Sequence, residues 1–320
     1  MTRAGIPLSV VVITCDRPEW CRAMLDSLRG QVSGRDEVLL IDDGREPVAA
    51  QPMGVSHLIR SAGYGAAAAR NAGLRLAGNE WILFLDDDVV IPHNFLAEVR
   101  RRLRSDELDV LTANVLCHES CGATGDLFDE RYSLSRGPGV STYHGGTGTP
   151  SSPNDIWRVG VGAVMAWRTT VLRRIGGFPE DLGQGRRYGG AEDLAAFRAA
   201  LNAGAIIRYD GSLLVRHRSP TTMAEFVAKM RGYALADGAL ASHVWLTERD
   251  SGMIRHLVRD ITRAPLTFLA ESCRALVGRT HLPLAPIAAF PWWASRGLLG
   301  YRKSLQPPRR CLYESDRGYS

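Results

Sequence analysis

Apolar runs alternating with helical patterns predict an α/β fold for the first two-thirds of this chain: a mostly parallel sheet flanked by helices, followed by a helical appendage. Three observations carry that expectation. Short β-branched runs recur between stretches of helical periodicity. Two of the three clearest runs end in clusters of aspartate. From Thr222 onward the strand signal stops and apolar residues recur at helical spacing.

The elements follow in order. Residues 8–14 (LSVVVIT) form a continuous apolar run, suited to a strand buried on both faces. Pro18 fits the first turn of a helix, and Cys21, Met24, Leu25 and Leu28 then recur at helical spacing. Residues 37–41 (EVLLI) read as a second strand, ending at Asp42-Asp43-Gly44. An Ala-rich helix over 66–77 precedes a third strand, 81–85 (WILFL), which runs into Asp86-Asp87-Asp88. A helix over 92–103 and a strand over 109–115 complete the first half.

Residues 117–156 are rich in Gly, Ser, Thr and Pro and read as a long functional loop. A strand is expected over 159–167, a short helix over 168–175 and a helix over 191–203 stopped by Gly204. Strands over 205–209 and 212–217 close this part, the second at His217. Two apolar stripes mark the tail. One is Met223, Phe226, Val227, Met230 and Tyr233. The other is Ile254, Leu257, Val258 and Ile261, with Arg255, Arg259 and Arg263 beside it.

Composition narrows the function classes. Hydrophobic residues make up 45% and charged residues 23%, ordinary globular usage. A net charge of +5 falls short of a nucleic-acid-binding signature, so no nucleic-acid partner is expected. Residues 1–221 carry 25 basic against 26 acidic side chains, whereas 222–320 carry 14 against 8. The positive balance thus belongs to the tail. Arginine supplies nearly all of it, with Lys229 and Lys303 the only lysines, as in chains from GC-rich genomes.

Six scattered cysteines make no disulfide framework and suit a reducing compartment. Cys117-His118-Glu119-Ser120-Cys121 invites a zinc reading, but no second ligand pair follows at suitable spacing, so two loop thiols are the simpler one. No signal-peptide pattern opens the chain. Residues 280–295 are uncharged except for His281, yet Pro283, Pro286 and Pro291 interrupt them and they are too short to span a bilayer. A cytoplasmic protein is expected, with two readings for the tail. It either packs on the core or lies peripherally on the anionic inner face of the plasma membrane.

The acidic strand ends carry the chemistry. Three adjacent carboxylates repel one another and need compensation. A hard divalent cation, Mg²⁺ or Mn²⁺, supplies it with oxygen ligands. Alternation along an extended segment lets Asp86 and Asp88 point the same way. The bland alternative for Asp88 is capping of the following helix. Asp42-Asp43-Gly44 could accept hydrogen bonds from a base or a sugar, though Asp-Gly is also an ordinary turn pair. Arg17 and Arg70 could pair with a diphosphate. Glu192-Asp193 opens a helix after Gly189-Gly190. It either complements the helix dipole or provides a base for an acceptor hydroxyl. His217 is either structural or completes a metal site.

Absent motifs exclude other classes. There is no GxxxxGK[ST] loop, no GxGxxG after the first strand and no GxSxG elbow. P-loop ATPases, dinucleotide dehydrogenases and typical α/β hydrolases are therefore set aside.

In order along the chain, SVVVITCDR (9–17), VLLIDDG (38–44), GAAAARNAG (65–73), EWILFLDDDVVIP (80–92), GGFPE (176–180), GAEDL (190–194) and the strand ending at His217 resemble a family 2 glycosyltransferase with the GT-A fold. The resemblance covers roughly residues 7–220. It implies a nucleotide-diphospho-sugar donor, a divalent cation (Mn²⁺ or Mg²⁺) and an inverting displacement onto an acceptor hydroxyl. Its implied donor-binding set is Thr14, Arg17, Asp42 or Asp43, Arg70, Asp86 and Asp87. Asp86 and Asp88 match a DxD motif, and His217 matches a position that sometimes binds metal or diphosphate. Asp193 matches the base, with Glu192 beside it.

Two positions depart from the family pattern. Asp16 stands where Asn is usual, and Arg45 where Ser often follows Asp-Asp-Gly. The implied division is a domain over 1–221, its nucleotide-sugar half 1–115 and acceptor half 116–221, followed by a mostly helical 222–320. A polysaccharide, lipid-linked or natural-product acceptor fits equally. A non-catalytic sugar-nucleotide-binding or interaction protein is the alternative. A sugar nucleotidylyltransferase is a weaker one, because its N-terminal Gly-rich loop is missing.

Overall fold

A computed structural model of the chain describes residues 5–48, 54–61, 63–104, 107–118, 122–146, 156–276 and 284–301. The first half is a parallel layer. β1 (Leu8–Thr14) pairs with β2 (Glu37–Asp42) and β4 (Trp81–Asp86), and β2 pairs with β3 (His57–Arg60), all parallel. Every residue of β1 is buried, as its unbroken apolar run requires. α1 (Pro18–Leu28) and α2 (Ala66–Leu76) connect these strands. α2 lies close enough to β1 that a Cβ at Gly73 would stand 2.6 Å from the Val11 side chain.

The second half makes the sheet mixed. After β5 (Val89–Val90) and α3 (Phe95–Arg102), β6 (Val110–Cys117) joins the layer. β8 (Val164–Arg168) enters antiparallel between β4 and β6. β9 (Ile206–His217) runs parallel to β6, whereas β5 and β7 (Val140–His144) pair antiparallel with β9. The parallel expectation therefore holds for β3-β2-β1-β4 and for β6-β9 only.

Several boundaries differ from the sequence expectation. The loop over 117–156 contains α4 (Gly122–Tyr132) as well as β7. α4 has weak helical periodicity. Tertiary packing holds it, with the Phe128 ring set edge-on to Phe226, 5.9 Å away. The strand expected over 159–167 begins only at Val164, because Gly160 and Gly162 lie in a loop that serves the site described below. The two expected strands 205–209 and 212–217 are one, with a register irregularity opposite Ala113 and Asn114. β3 and β5 are too short to show a pattern of their own.

α5 (Thr169–Arg174) and α6 (Glu192–Asn202) cover one face of the sheet. The tail forms α7 (Met223–Glu248), α8 (Gly252–Leu276) and α9 (Leu284–Gly300). Thr222 and Glu225 make a reciprocal capping box at the start of α7. The expected proline breaks do not materialise. Pro286 falls in the first turn of α9, where a missing N–H costs little, and Pro291 is carried inside it. Pro283 lies outside the described residues.

Apolar residues fill both faces of the sheet. On one, Val10, Val12, Met24 and Phe95 pack together. On the other, Val11, Phe84, Trp167 and Phe197 share a continuous core with Leu240, Met253 and Ala294 of the tail helices. Among the described residues, no helix is long and apolar enough to cross a membrane.

Candidate active site

The carboxyl ends of β1 and β4, the start of α6 and the flank of α7 enclose a cleft of about 950 Å³. That lies within the range usual for small-molecule sites. Its position is the one expected of ligand sites in open α/β sheets.

Asp86, Asp87 and Asp88 all line the cleft, and each carboxylate has its own partner. Asp86 accepts a hydrogen bond from Arg70 Nη2 at 2.6 Å. Asp87 accepts from Thr14 Oγ1 at 2.8 Å and from Arg17 Nη1 at 3.0 Å. Asp88 accepts from the same Arg17 nitrogen at 3.0 Å. Its other oxygen, Oδ1, faces His217 Nε2 at 3.3 Å without hydrogen-bond alignment. β5 explains that encounter: Val89, directly after the triplet, pairs with His217 in register. The protein's own arginines thus compensate much of the repulsion within the triplet.

Burial and charge act differently on neighbouring acids. Burial pushes the Asp87 carboxyl up to about 7, although Arg17 opposes it. Burial also acts to raise Asp88, but His217 and Arg17 outweigh it and hold that carboxyl well below the usual range. Asp88 does not cap a helix, since α3 begins after Asn94.

Arg70 joins the two halves of the site. From the middle of α2 its Nη1 reaches Glu192 Oε1 at 2.5 Å, while Nη2 holds Asp86. Glu192 therefore positions Arg70. Asp193, the next residue, is held by backbone donors. Gly162 N–H donates to Oδ2 at 2.6 Å and Leu194 N–H to Oδ1 at 2.9 Å. A Cβ at Gly162 would approach Asp193 Oδ2 to 3.0 Å, so glycine permits this close seat. Burial raises the Asp193 carboxyl despite Arg70 and these N–H groups.

The Asp42-Asp43 pair divides by role. Asp42 is fully buried and does not line the cleft. It accepts from Gly44 N, Val48 N and Arg60 Nη1 at 2.8–2.9 Å, and so builds the turn. Asp43 does line the cleft, and it receives Tyr64 N at 2.9 Å, Gly65 N at 2.7 Å and the Ser61 hydroxyl. Asp16 acts locally too, its carboxylate accepting Arg45 N at 2.7 Å and closing the loop over Gly44. The motif around Gly176-Gly177 is structural as well. Asn71 clamps it, donating to Phe178 O and accepting from Phe178 N, both at 2.8 Å.

Other cleft residues have no clear signature in the sequence. Trp20 sits between two guanidinium groups, Arg17 at 5.0 Å and Arg218 at 5.4 Å from its ring. Among the described residues Arg218 has no carboxylate partner, and its backbone N–H donates to Asp88 O at 2.9 Å. A cation directly after the strand-end histidine was the available signal. Tyr233 and Trp157 form an aromatic wall, their ring centroids 5.9 Å apart. Their place depends on α7 folding back over the cleft, which no local pattern announces. Cys117 lies outside the cleft, and Cys121 lies outside the described residues.

Residues 9–148 match the model of glycosyl transferase family 2. A pre-mycofactocin glycosyltransferase of Mycobacterium tuberculosis H37Rv is 25% identical over 240 residues, 73% of this chain and 47% of that protein. Over these spans the chain is similar to family 2 glycosyltransferases. An uncharacterized glycosyltransferase of Haemophilus influenzae is 36% identical over 85 residues, 25% of this chain and 29% of that one. The chain spans about half the length of the first of these relatives or less.

The fold has a solved counterpart. The mannosyltransferase PcManGT from Pyrobaculum calidifontis, in complex with GDP-Man and Mn²⁺, superposes with a TM-score of 0.57 at 16% identity, covering 93% of this chain and 88% of that one. The architecture is therefore GT-A. Thr14 to Asp88 lie inside the span matched by the family model, while Glu192, Asp193 and His217 lie beyond it. Arg70 and the β5–β9 pairing bring the two groups to one cleft.

Proposed function

We propose that this chain transfers a sugar from a nucleotide-diphospho-sugar to an acceptor hydroxyl with inversion at the anomeric carbon. One observation carries the proposal. The strand-end carboxylates Asp43 and Asp86–Asp88, three arginines and the buried Asp193 face a single cleft large enough for such a donor. The solved mannosyltransferase of this fold held GDP-Man and Mn²⁺, the same two kinds of ligand.

The residues fit a divalent cation in part. Among the described residues, no three His, Cys, Asp or Glu side chains form a metal cage. Mg²⁺ and Mn²⁺ do not need one, since substrate phosphates commonly complete their shell around one or two carboxylates. Asp88 Oδ1 is buried without a hydrogen bond, His217 stands beside it, and Asp86 lies on the cleft side of the same triplet. These three are the proposed ligands, Asp88 foremost. Such a cation, when bound, neutralises charge on the departing diphosphate.

The remaining work falls to the chain. Asp43 and the β1 end bind the nucleoside side. Arg17 and Arg218, braced on Trp20, offer charge-assisted bonds to phosphate oxygens. Arg70, fixed by Asp86 and Glu192, lies between donor and acceptor sides. Asp193 takes the acceptor proton, with its two oxygens oriented by Gly162 and Leu194. Trp157 and Tyr233 give the acceptor an apolar wall to stack on. A polysaccharide, a lipid-linked sugar and a natural product all suit such a wall.

The test is a panel of nucleotide sugars read by thermal shift with and without Mn²⁺, followed by product analysis. At least one should stabilise the protein, and chelator should remove that shift. Asp193→Asn should retain donor binding and lose transfer by about 10²–10⁴-fold. Transfer near the wild-type rate in Asp193→Asn would remove the base assignment, and a metal-independent shift would remove the cation.

A further inference from the structure

Helix α8 has two apolar faces. Met253, Leu257 and Ala264 are buried against the molecule. Val258, Leu266 and Leu269 point outward, 48%, 69% and 60% exposed. With 3.6 residues per turn, Val258, Pro265 and Leu269 fall on one line along the helix, and Leu266 lies about 80° round from Val258, at the angle of the arginines. Arg255, Arg259 and Arg263 recur every fourth residue along the edge of that strip, all three exposed. α9, packed against α8, adds Trp292 and Leu299, 63% and 81% exposed. They stand seven residues apart on one face, and the Arg296 guanidinium lies 5.6 Å from the Trp292 ring.

Single exposed leucines are common on soluble surfaces. A strip of large apolar residues on two neighbouring helices, bordered by a row of arginines, is a surface built to be covered. Charge decides by what. Residues 222–320 hold 14 basic against 8 acidic side chains. Along the strip the acid facing the row is Asp260, 3.9 Å from Arg259, and Glu271 points inward. A second copy in a two-fold interface would bring arginine row against arginine row, which repels. A phospholipid surface offers the complement: phosphates for the arginines and acyl chains for the strip.

We propose that the outer face of α8, with α9 beside it, docks on an anionic membrane surface. Val258, Leu266, Leu269 and Trp292 enter the acyl boundary, and Arg255, Arg259 and Arg263 sit among the headgroups. Neither helix crosses the bilayer.

Flotation of the full chain with vesicles tests this directly. Wild type should float with phosphatidylglycerol–phosphatidylcholine vesicles at low salt, and far less with phosphatidylcholine alone. R255Q/R259Q/R263Q should lower the partition coefficient about a hundredfold and flatten its salt dependence. L266E/L269E should abolish flotation, with an unchanged thermal midpoint because both side chains already face solvent. Wild type remaining unbound to anionic vesicles would overturn the proposal. So would L266E/L269E floating as wild type does. A dimer in light scattering that L266E/L269E dissolves, without vesicle binding, would assign the face to a second copy instead.

Discussion

Asp193 sits at the most constrained point of the cleft. Two backbone N–H groups fix its carboxylate, and burial raises its proton affinity above that of an ordinary aspartate. If Asp193 takes the acceptor proton as proposed, it must be ionised to do so, and its raised pKa moves the acid side of the activity profile upward. Transfer should fall as pH drops through that value, and the fall should begin above the ordinary aspartate range of about 3.9. On the alkaline side Asp193 stays ionised and contributes no loss. The measurement is kcat/KM against pH. Full activity persisting below about pH 4 would show that another group, or none, takes the proton.

Between elements, α7 and α9 approach closely. A Cβ at Gly238 would stand 2.0 Å from Ala294 O, and one at Gly297 would stand 2.0 Å from Leu235 O. The overlaps are with backbone, which no rotamer change relieves. Alanine in place of glycine gains about 0.8–1 kcal/mol of helix propensity. Overpacking costs about 1–3 kcal/mol, and more where backbones must separate. Gly238→Ala should therefore be destabilising on balance, by up to about 2 kcal/mol, or more where the backbones must separate. Gly232→Ala is the matched control, because its Cβ meets only Gly189 O at an ordinary 3.7 Å. It should be neutral or mildly stabilising. Urea denaturation followed by circular dichroism separates the two. Equal midpoints would mean that α9 shifts freely on α7.

Elements were legible in the sequence where their own residues supply the pattern. β1, β2 and β4 announce themselves because both of their faces are buried, and the acidic residues at their ends follow. β5 has two residues and no pattern, yet it sets His217 beside Asp88. α4 was hidden because its glycines weaken the helical signal and Phe226, nearly a hundred residues away, holds it. Asp42 and Asp43 could not be told apart, since their roles depend on which carboxylate turns inward toward Arg60 and Val48. Arg218 and Tyr233 reach the cleft only through tertiary folding.

At the scale of the whole molecule, the change in charge near residue 221 does not coincide with a gap in the core. Leu240, Val244, Met253 and Ala294 belong to the same buried cluster as Phe84, Trp167 and Phe197. Arg198 of α6 pairs with Glu248 at 2.8 Å and Asp250 at 2.6 Å across the junction of α7 and α8. Tyr188 is hydrogen-bonded to the carbonyl of Gly300 at the far end of α9. The segment leading into Asp193 is bound to the tail as closely: a Cβ at Gly189 would stand 3.3 Å from Gly232 Cα, and one at Gly190 would stand 3.5 Å from Ala236 Cβ. A shared core and shared ion pairs make separate melting of the tail costly, because it would strip apolar cover from the sheet helices. Scanning calorimetry of the full chain should give one transition with matching calorimetric and van't Hoff enthalpies. Two resolved transitions would make α7–α9 an independent unit. A single one makes α7 a wall of the cleft as much as part of the tail.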